Sequence, residues 1–147
     1  MRPKGFYTIR IAAVFFLASA VFELASVGSQ IPWSGAMRGG LPVVIYHVFF
    51  AAVFAATGVG LWTGTRWGYW TVFASTAIYS ADKIRYLLDW QGRAAEILQL
   101  AAHTDLVEVL DMNLLLRMSA LLAANFVVCW WGFAWYIYLR RAYFGRE

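Results

Sequence analysis

Apolar residues run almost unbroken through four stretches of this chain, and polar residues gather between them. The first stretch, IAAVFFLASAVFELASVGS from Ile11 to Ser29, carries one charge, Glu23. The second, LPVVIYHVFFAAVFAATGVGLW from Leu41 to Trp62, carries none. The third begins at Trp67 and stays uncharged as far as Ala81, then meets Asp82, Lys83 and Arg85. The fourth, from Met118 to Leu139, is again uncharged. About 20 apolar residues in a helix cross a hydrocarbon core of roughly 30 Å. A helix also satisfies its own backbone polar groups where lipid offers none. The ten-residue alternating strands of a membrane barrel are not visible. The pattern therefore predicts an all-α integral membrane fold. It is a single domain over 1–147, a four-helix transmembrane bundle with spans at about 8–29, 41–62, 67–88 and 115–140.

The connections fit this reading. Gly39, Gly40 and Pro42 punctuate the first. Gly64, Thr65 and Arg66 make the second so tight that spans two and three must be antiparallel neighbours. The third is longer and is not a low-complexity linker. Ala94, Ile97 and Ala101, then Leu106, Val109 and Leu110, recur at helical spacing. Gly92 can end the third helix, and Thr104 or Asp105 can cap a new one. This predicts an amphipathic helical connection over 90–113, lying on the membrane surface or projecting from it. The rival arrangement extends spans three and four as a hairpin beyond the bilayer, with its tip near His103.

Composition moves the picture from a water-soluble protein to a lipid-dissolved one. Hydrophobic residues make up 62% of the chain and charged ones 14%, against about half and about a quarter in soluble domains. The formal charge of +4 would raise nucleic acid as a partner in a soluble protein. Here the basic residues sit at span ends, where topology accounts for them, so no nucleic-acid partner is expected. A lone cysteine, Cys129, excludes an intrachain disulfide or a thiolate cluster. The N-terminus imitates a secretory leader, with Arg2, Lys4 and an Ala18–Ser19–Ala20 site. The apolar run continues past that site through Val21, Phe22, Leu24 and Val27, which favours a retained span.

Orientation follows from lysine and arginine. Seven of them (Arg2, Lys4, Arg10, Arg66, Arg140, Arg141 and Arg146) fall on one side, with Glu147 as its only acid; five (Arg38, Lys83, Arg85, Arg93 and Arg117) fall on the other, with seven acids. The positive-inside bias places both termini in the cytoplasm and the protein in the cell's inner membrane. Aromatic belts agree, with Trp62, Trp67, Trp70 and Trp135 at the inner interface and Trp33 and Trp90 at the outer one.

Helical rise then gives depth. Asp82 lies about 22 Å from Trp67, Glu23 about 20 Å from Arg10, and His47 about 9 Å from Leu41. Glu23, His47, Asp82, Lys83, Arg85 and Arg117 thus form one layer near the outer leaflet, contributed by all four spans. Tyr79 shares a face with Ser75, Asp82 and Tyr86. Charges in a membrane turn inward and pair, so Glu23 and Asp82 are expected to meet Lys83, Arg85 or Arg117. Two readings stay open. The layer is an ion-pair cluster that fixes which helix lies beside which, or an outward-facing polar cup that holds a ligand or relays protons. His47 is expected to be a hydrogen-bonded packing histidine. Ligation of a haem or pigment metal is the alternative, and no second span supplies a partner histidine.

Ala52, Ala56 and Gly60 recur at four-residue steps, and Asn125 is a hydrogen-bonding group in the middle of a span. Both features suit helix packing, inside the bundle or against another subunit. No phosphate-cradling glycine loop, zincin helix motif or Cys-x-x-Cys is present, so no metal site and no particular cofactor is implied. A glutamate among small residues in the first of four spans resembles the small multidrug transporters. The pattern departs from theirs, because Glu23 sits near the outer end, the third connection is long and the Asp82–Arg85 charges are foreign to it. Membership is not assigned. The expected function is a non-catalytic structural or accessory subunit of a larger membrane complex or homo-oligomer, with the bilayer and other membrane subunits or itself as partners. The alternative is a small proton-coupled transporter or ligand-binding protein using the polar cup. A cofactor-binding electron-transfer subunit built on His47 is the weaker alternative.

Overall fold

A computed structural model describes residues 5–102 and 111–145. Its described residues form five α-helices and one small hairpin. Helix α1 is Phe6–Ala25, and strands β1 (Ile31–Trp33) and β2 (Ala36–Arg38) follow. Helices α2 (Leu41–Thr63), α3 (Arg66–Leu88), α4 (Trp90–Ala101) and α5 (Met112–Leu139) complete the set, and a 3-10 turn spans Arg141–Phe144. Three helices, α1, α2 and α5, are long and apolar enough to cross a membrane. The molecule is a membrane protein. Helix α3 matches α2 in length at 23 residues. Its Asp82, Lys83 and Arg85, with hydroxyls at Thr71, Ser75, Thr76, Tyr79 and Ser80, keep it less apolar than the other three.

The four long helices alternate in direction. One end of the bundle carries the β-hairpin, and the other carries Phe6, Gly64 and Phe144. Helix α2 is central, packing on α1 and on α3, while α5 packs on α3. Two glycines let α2 approach both neighbours. A Cβ on Gly58 would press on Leu17 and the Ala13 carbonyl of α1. A Cβ on Gly68 of α3 would collide with the Gly60 backbone. Small residues serve this purpose in membrane helices, where van der Waals contact replaces the hydrophobic drive. The expected Ala52–Ala56–Gly60 stripe is thus split. Gly60 packs inside the bundle, whereas Ala52 and Ala56 are exposed.

The α2–α3 turn is made by Gly64, whose φ of 71° supplies the left-handed C-cap of α2. Below it lies an apolar cluster of Ile9, Ala13, Leu61, Val72, Ala134, Ile137, Tyr143 and Phe144. The 3-10 turn folds under the bundle, and the Tyr143 hydroxyl donates to the Leu61 carbonyl at 3.0 Å. A second cluster of Ala20, Phe50 and Phe54 lies further towards the hairpin end, with Phe16, Tyr79 and Trp130 packed against it. On α3, Ser75 and Thr76 bond back to the Val72 carbonyl, which satisfies hydroxyls inside the bundle.

Three elements differ from the sequence expectation. The first connection is an antiparallel hairpin, pairing Ile31 with Arg38 and Trp33 with Ala36, so the fold is not purely α-helical. Its two-residue turn is Ser34–Gly35, both with positive φ, the geometry that continues strand twist. Gly92 does not end the third helix. The break falls at Asp89, whose side chain accepts from the Gly92 amide and caps α4. The amphipathic connection is seen as α4, with Ala94, Ile97 and Ala101 on its less exposed side. Its other predicted positions, His103, Thr104, Asp105, Leu106, Val109 and Leu110, lie outside the described residues. Arg93 ties α4 down, donating to the Leu116 carbonyl at 3.1 Å and to the Leu87 carbonyl at 3.3 Å.

Candidate functional site

At the hairpin end, two neighbouring residues of α2 reach two different helices. Successive helix positions differ by about 100°, so Tyr46 and His47 face α3 and α1 respectively. The Tyr46 hydroxyl donates to Asp82 Oδ2 at 3.0 Å. His47 Nδ1 lies 2.7 Å from Glu23 Oε2. The other ring nitrogen, Nε2, is 3.3 Å from Ser29 Oγ in the loop after α1. His47 itself is buried. Both of its ring nitrogens are therefore within hydrogen-bonding reach of protein groups.

Asp82 is the hub. Its side chain is only 8% exposed, and it meets Tyr46, Lys83 Nζ at 3.3 Å and Arg85 Nη2 at 3.1 Å. Burying a carboxyl is costly unless it is paired and hydrogen-bonded, and three partners meet that requirement. The cations are themselves anchored. Arg85 Nη1 donates to the Pro32 carbonyl at 3.3 Å, and its guanidinium lies 4.4 Å from the Trp33 ring centre. Lys83 lies 5.0 Å from the Tyr79 ring and 5.7 Å from the Tyr86 ring. Tyr79 in turn stacks on Trp130 of α5 at 4.7 Å.

The hairpin is clamped a second time from below. The Gly35 amide donates to both Asp89 carboxylate oxygens, at 3.0 and 3.1 Å. Gly35 must remain a glycine, because its φ is 80° and a Cβ would press on Gln91. Hydrogen bonds from the Gly92 amide, then from the Gly35 amide, hold the Asp89 carboxyl below its usual 3.8. Tyr86 adds a further link, donating to Glu96 Oε2 at 2.8 Å.

The structure thus brings Glu23, His47, Tyr79, Asp82, Lys83 and Arg85 to one end of the bundle. It changes how they pair. Glu23 meets His47, where a lysine or arginine was expected, because α2 places that ring between α1 and the Ser29 loop. Arg117 is exposed on α5 and forms no ion pair with a described residue. Of the expected packing positions, Gly60 is in a helix contact, and Asn125 is exposed with no bond to a described residue. The sequence reading missed Tyr46, Ser29, Trp33, Asp89 and Gly35. The Ser34–Gly35 dipeptide is a turn signal that could have found the hairpin. Nothing local marks Tyr46 as an acid's partner, since Asp82 lies 36 residues away. Among the described residues no group of three metal-ligating side chains occurs. Comparison with protein-family models, with curated proteins and with solved structures finds no match.

Proposed function

We propose that the protein is a non-catalytic membrane subunit of four crossings that assembles with a second copy of itself through α5. Both termini then face the cytoplasm, as the lysine and arginine bias favours. Helix α3 crosses with the others because α2 and α5 cover its polar face.

One observation carries the reading. Helix α5 presents a seam at alternating steps of four and three: Leu114, Met118, Leu121, Asn125, Val128, Gly132, Trp135 and Leu139; Met118, Leu121 and Asn125 also border a cavity beside Ile97 and Leu100 of α4. These are exposed, with Leu121 at 71% and Val128 at 69%. The seam is turned away from the buried Ala123, Ala134 and Ile137 of the same helix. A repeat of 3.5 residues is the spacing by which two helices keep one face in contact. Most of the seam would be equally content in lipid. Asn125 is the exception, because an unpaired amide in hydrocarbon costs free energy. The amide both donates and accepts, so a second Asn125 across a twofold axis satisfies it. Gly132, with open space where its Cβ would be, gives room for close approach two turns further on.

The test is the mass of the detergent-solubilised protein together with crosslinking. A dimer of the 16.6 kDa chain is expected, with Val128→Cys forming an intermolecular disulfide. Asn125→Leu should weaken association roughly tenfold, the equivalent of about 1–2 kcal/mol for an interhelical polar contact. A stable monomer, or a complex held by another protein's helix on this seam, overturns self-association.

A further inference from the structure

A groove of about 520 Å³ opens between α1 and α5, away from the seam. Its walls are Phe15, Phe16 and Phe22 of α1 and Phe126, Trp130 and Phe133 of α5, and Phe54 and Tyr79 close its floor. Eight aromatic rings line it, and its other polar side chains are Ser19, Glu23 and Lys83, with the Tyr79 hydroxyl. This volume suits a small organic ligand. Exposed Phe15, Phe22, Phe126 and Cys129 open it sideways, so it is reached through the membrane.

The polar end determines what fits. Glu23 uses Oε2 on His47, and Oε1 bonds to no described residue. Lys83 gives one contact to Asp82 and has three N–H donors. The lining therefore offers both an acceptor and a donor towards the hairpin end of an aromatic slot. A phospholipid fits poorly, because its phosphate brings charge to the Glu23 carboxyl and its acyl chains gain nothing specific from eight rings. A planar ring does gain, since aromatic faces pair by offset stacking.

We propose that this groove binds a membrane-dissolved aromatic amphiphile of the quinol class. Its ring lies against Trp130 and the phenylalanines, a ring hydroxyl donates to Glu23 Oε1, and a second ring oxygen accepts from Lys83. Binding alone is inferred, with no electron transfer.

The single cysteine reports on the groove directly. Cys129 lines it and is exposed, so an occupant shields the thiol from alkylation. The experiment measures N-ethylmaleimide labelling of the intact protein in detergent, titrated with decyl-ubiquinol and, separately, with decyl phosphocholine. Saturable protection by the quinol and none by the phosphocholine is expected. Glu23→Gln should raise the half-protecting concentration about tenfold, because a charged acceptor becomes a neutral one. Trp130→Leu, which removes a ring of the groove and keeps Glu23 and Lys83, should weaken protection as well. Protection by both amphiphiles alike, by neither, or by the quinol undiminished in both variants overturns the proposal. Unchanged elution of each variant confirms that it is folded.

Discussion

Where Ile9, Leu61, Val72 and Ile137 meet, the bundle is joined by apolar side chains and by a glycine-to-glycine contact between Gly60 and Gly68. At the opposite end it is joined by hydrogen bonds and ion pairs among Asp82, Glu23, His47, Tyr46 and Arg85. The first arrangement depends on shape, and any added atom disturbs it. The second depends on charge and hydrogen bonding, so an isosteric substitution can disturb it while a bulky neighbour need not. The polar end also recruits a piece of backbone outside the helices. Arg85 and Asp89 seize the hairpin at Pro32 and Gly35, whereas the apolar end is closed by a turn continuous with α5.

The largest expected effect is at the polar hub. Asp82→Ala leaves Tyr46, Lys83 and Arg85 without their common partner and should cost about 3–5 kcal/mol, read as a lower denaturant midpoint by tryptophan fluorescence in detergent. Asp82→Asn, which keeps a hydrogen-bonding oxygen, should recover part of that loss. Equal loss in both variants would mean that charge alone holds this end. At the apolar end Gly68→Ala should cost about 2 kcal/mol by forcing two backbones apart, measured in the same way. A neutral result there would show that α2 and α3 can slide. Tyr143→Phe leaves the Leu61 carbonyl without its donor and should cost about 1–2 kcal/mol, measured in the same way.

The smallest effect separates the two ends by titration. The folded Asp89 carboxyl sits below its ordinary 3.8, so its contribution is complete above that value. It is lost as pH falls through the lower, folded one. Protection of the Gly35 amide from hydrogen exchange should therefore weaken on acidification below the ordinary carboxylate range. Asp89→Asn keeps an oxygen that can cap α4 but removes one of the two acceptors of the Gly35 amide, so it should abolish that acid dependence and cost about 1 kcal/mol. The amides of α2 near Leu61 should show no such acid response.

How much of this was legible in the sequence differs between the two ends for a physical reason. The apolar run at Leu41 predicted α2 nearly to the residue, since Pro42 and Gly64 punctuate it. The polar layer was legible as a depth, because helical rise places Glu23 and Asp82 near one end regardless of rotation. Pairing was not, since it depends on how each helix is turned about its axis. One helical step separates Tyr46 from His47, and only packing decides which helix each reaches. The hairpin escaped because three-residue strands are too short to display an alternating period. Gly58 and Gly68 escaped because a glycine's role depends on what faces it, which no single helix reveals.

The bond from Tyr143 to Leu61 joins residues 82 positions apart. A ribosome feeding this chain into a membrane would release α2 long before the hydroxyl that completes its end. During that interval the α2–α3 pair can stand alone, held by the Gly60–Gly68 contact, while the carbonyl of Leu61 waits on water at the interface. Closure of the α2 end over Leu61 therefore waits until residue 143 has been made.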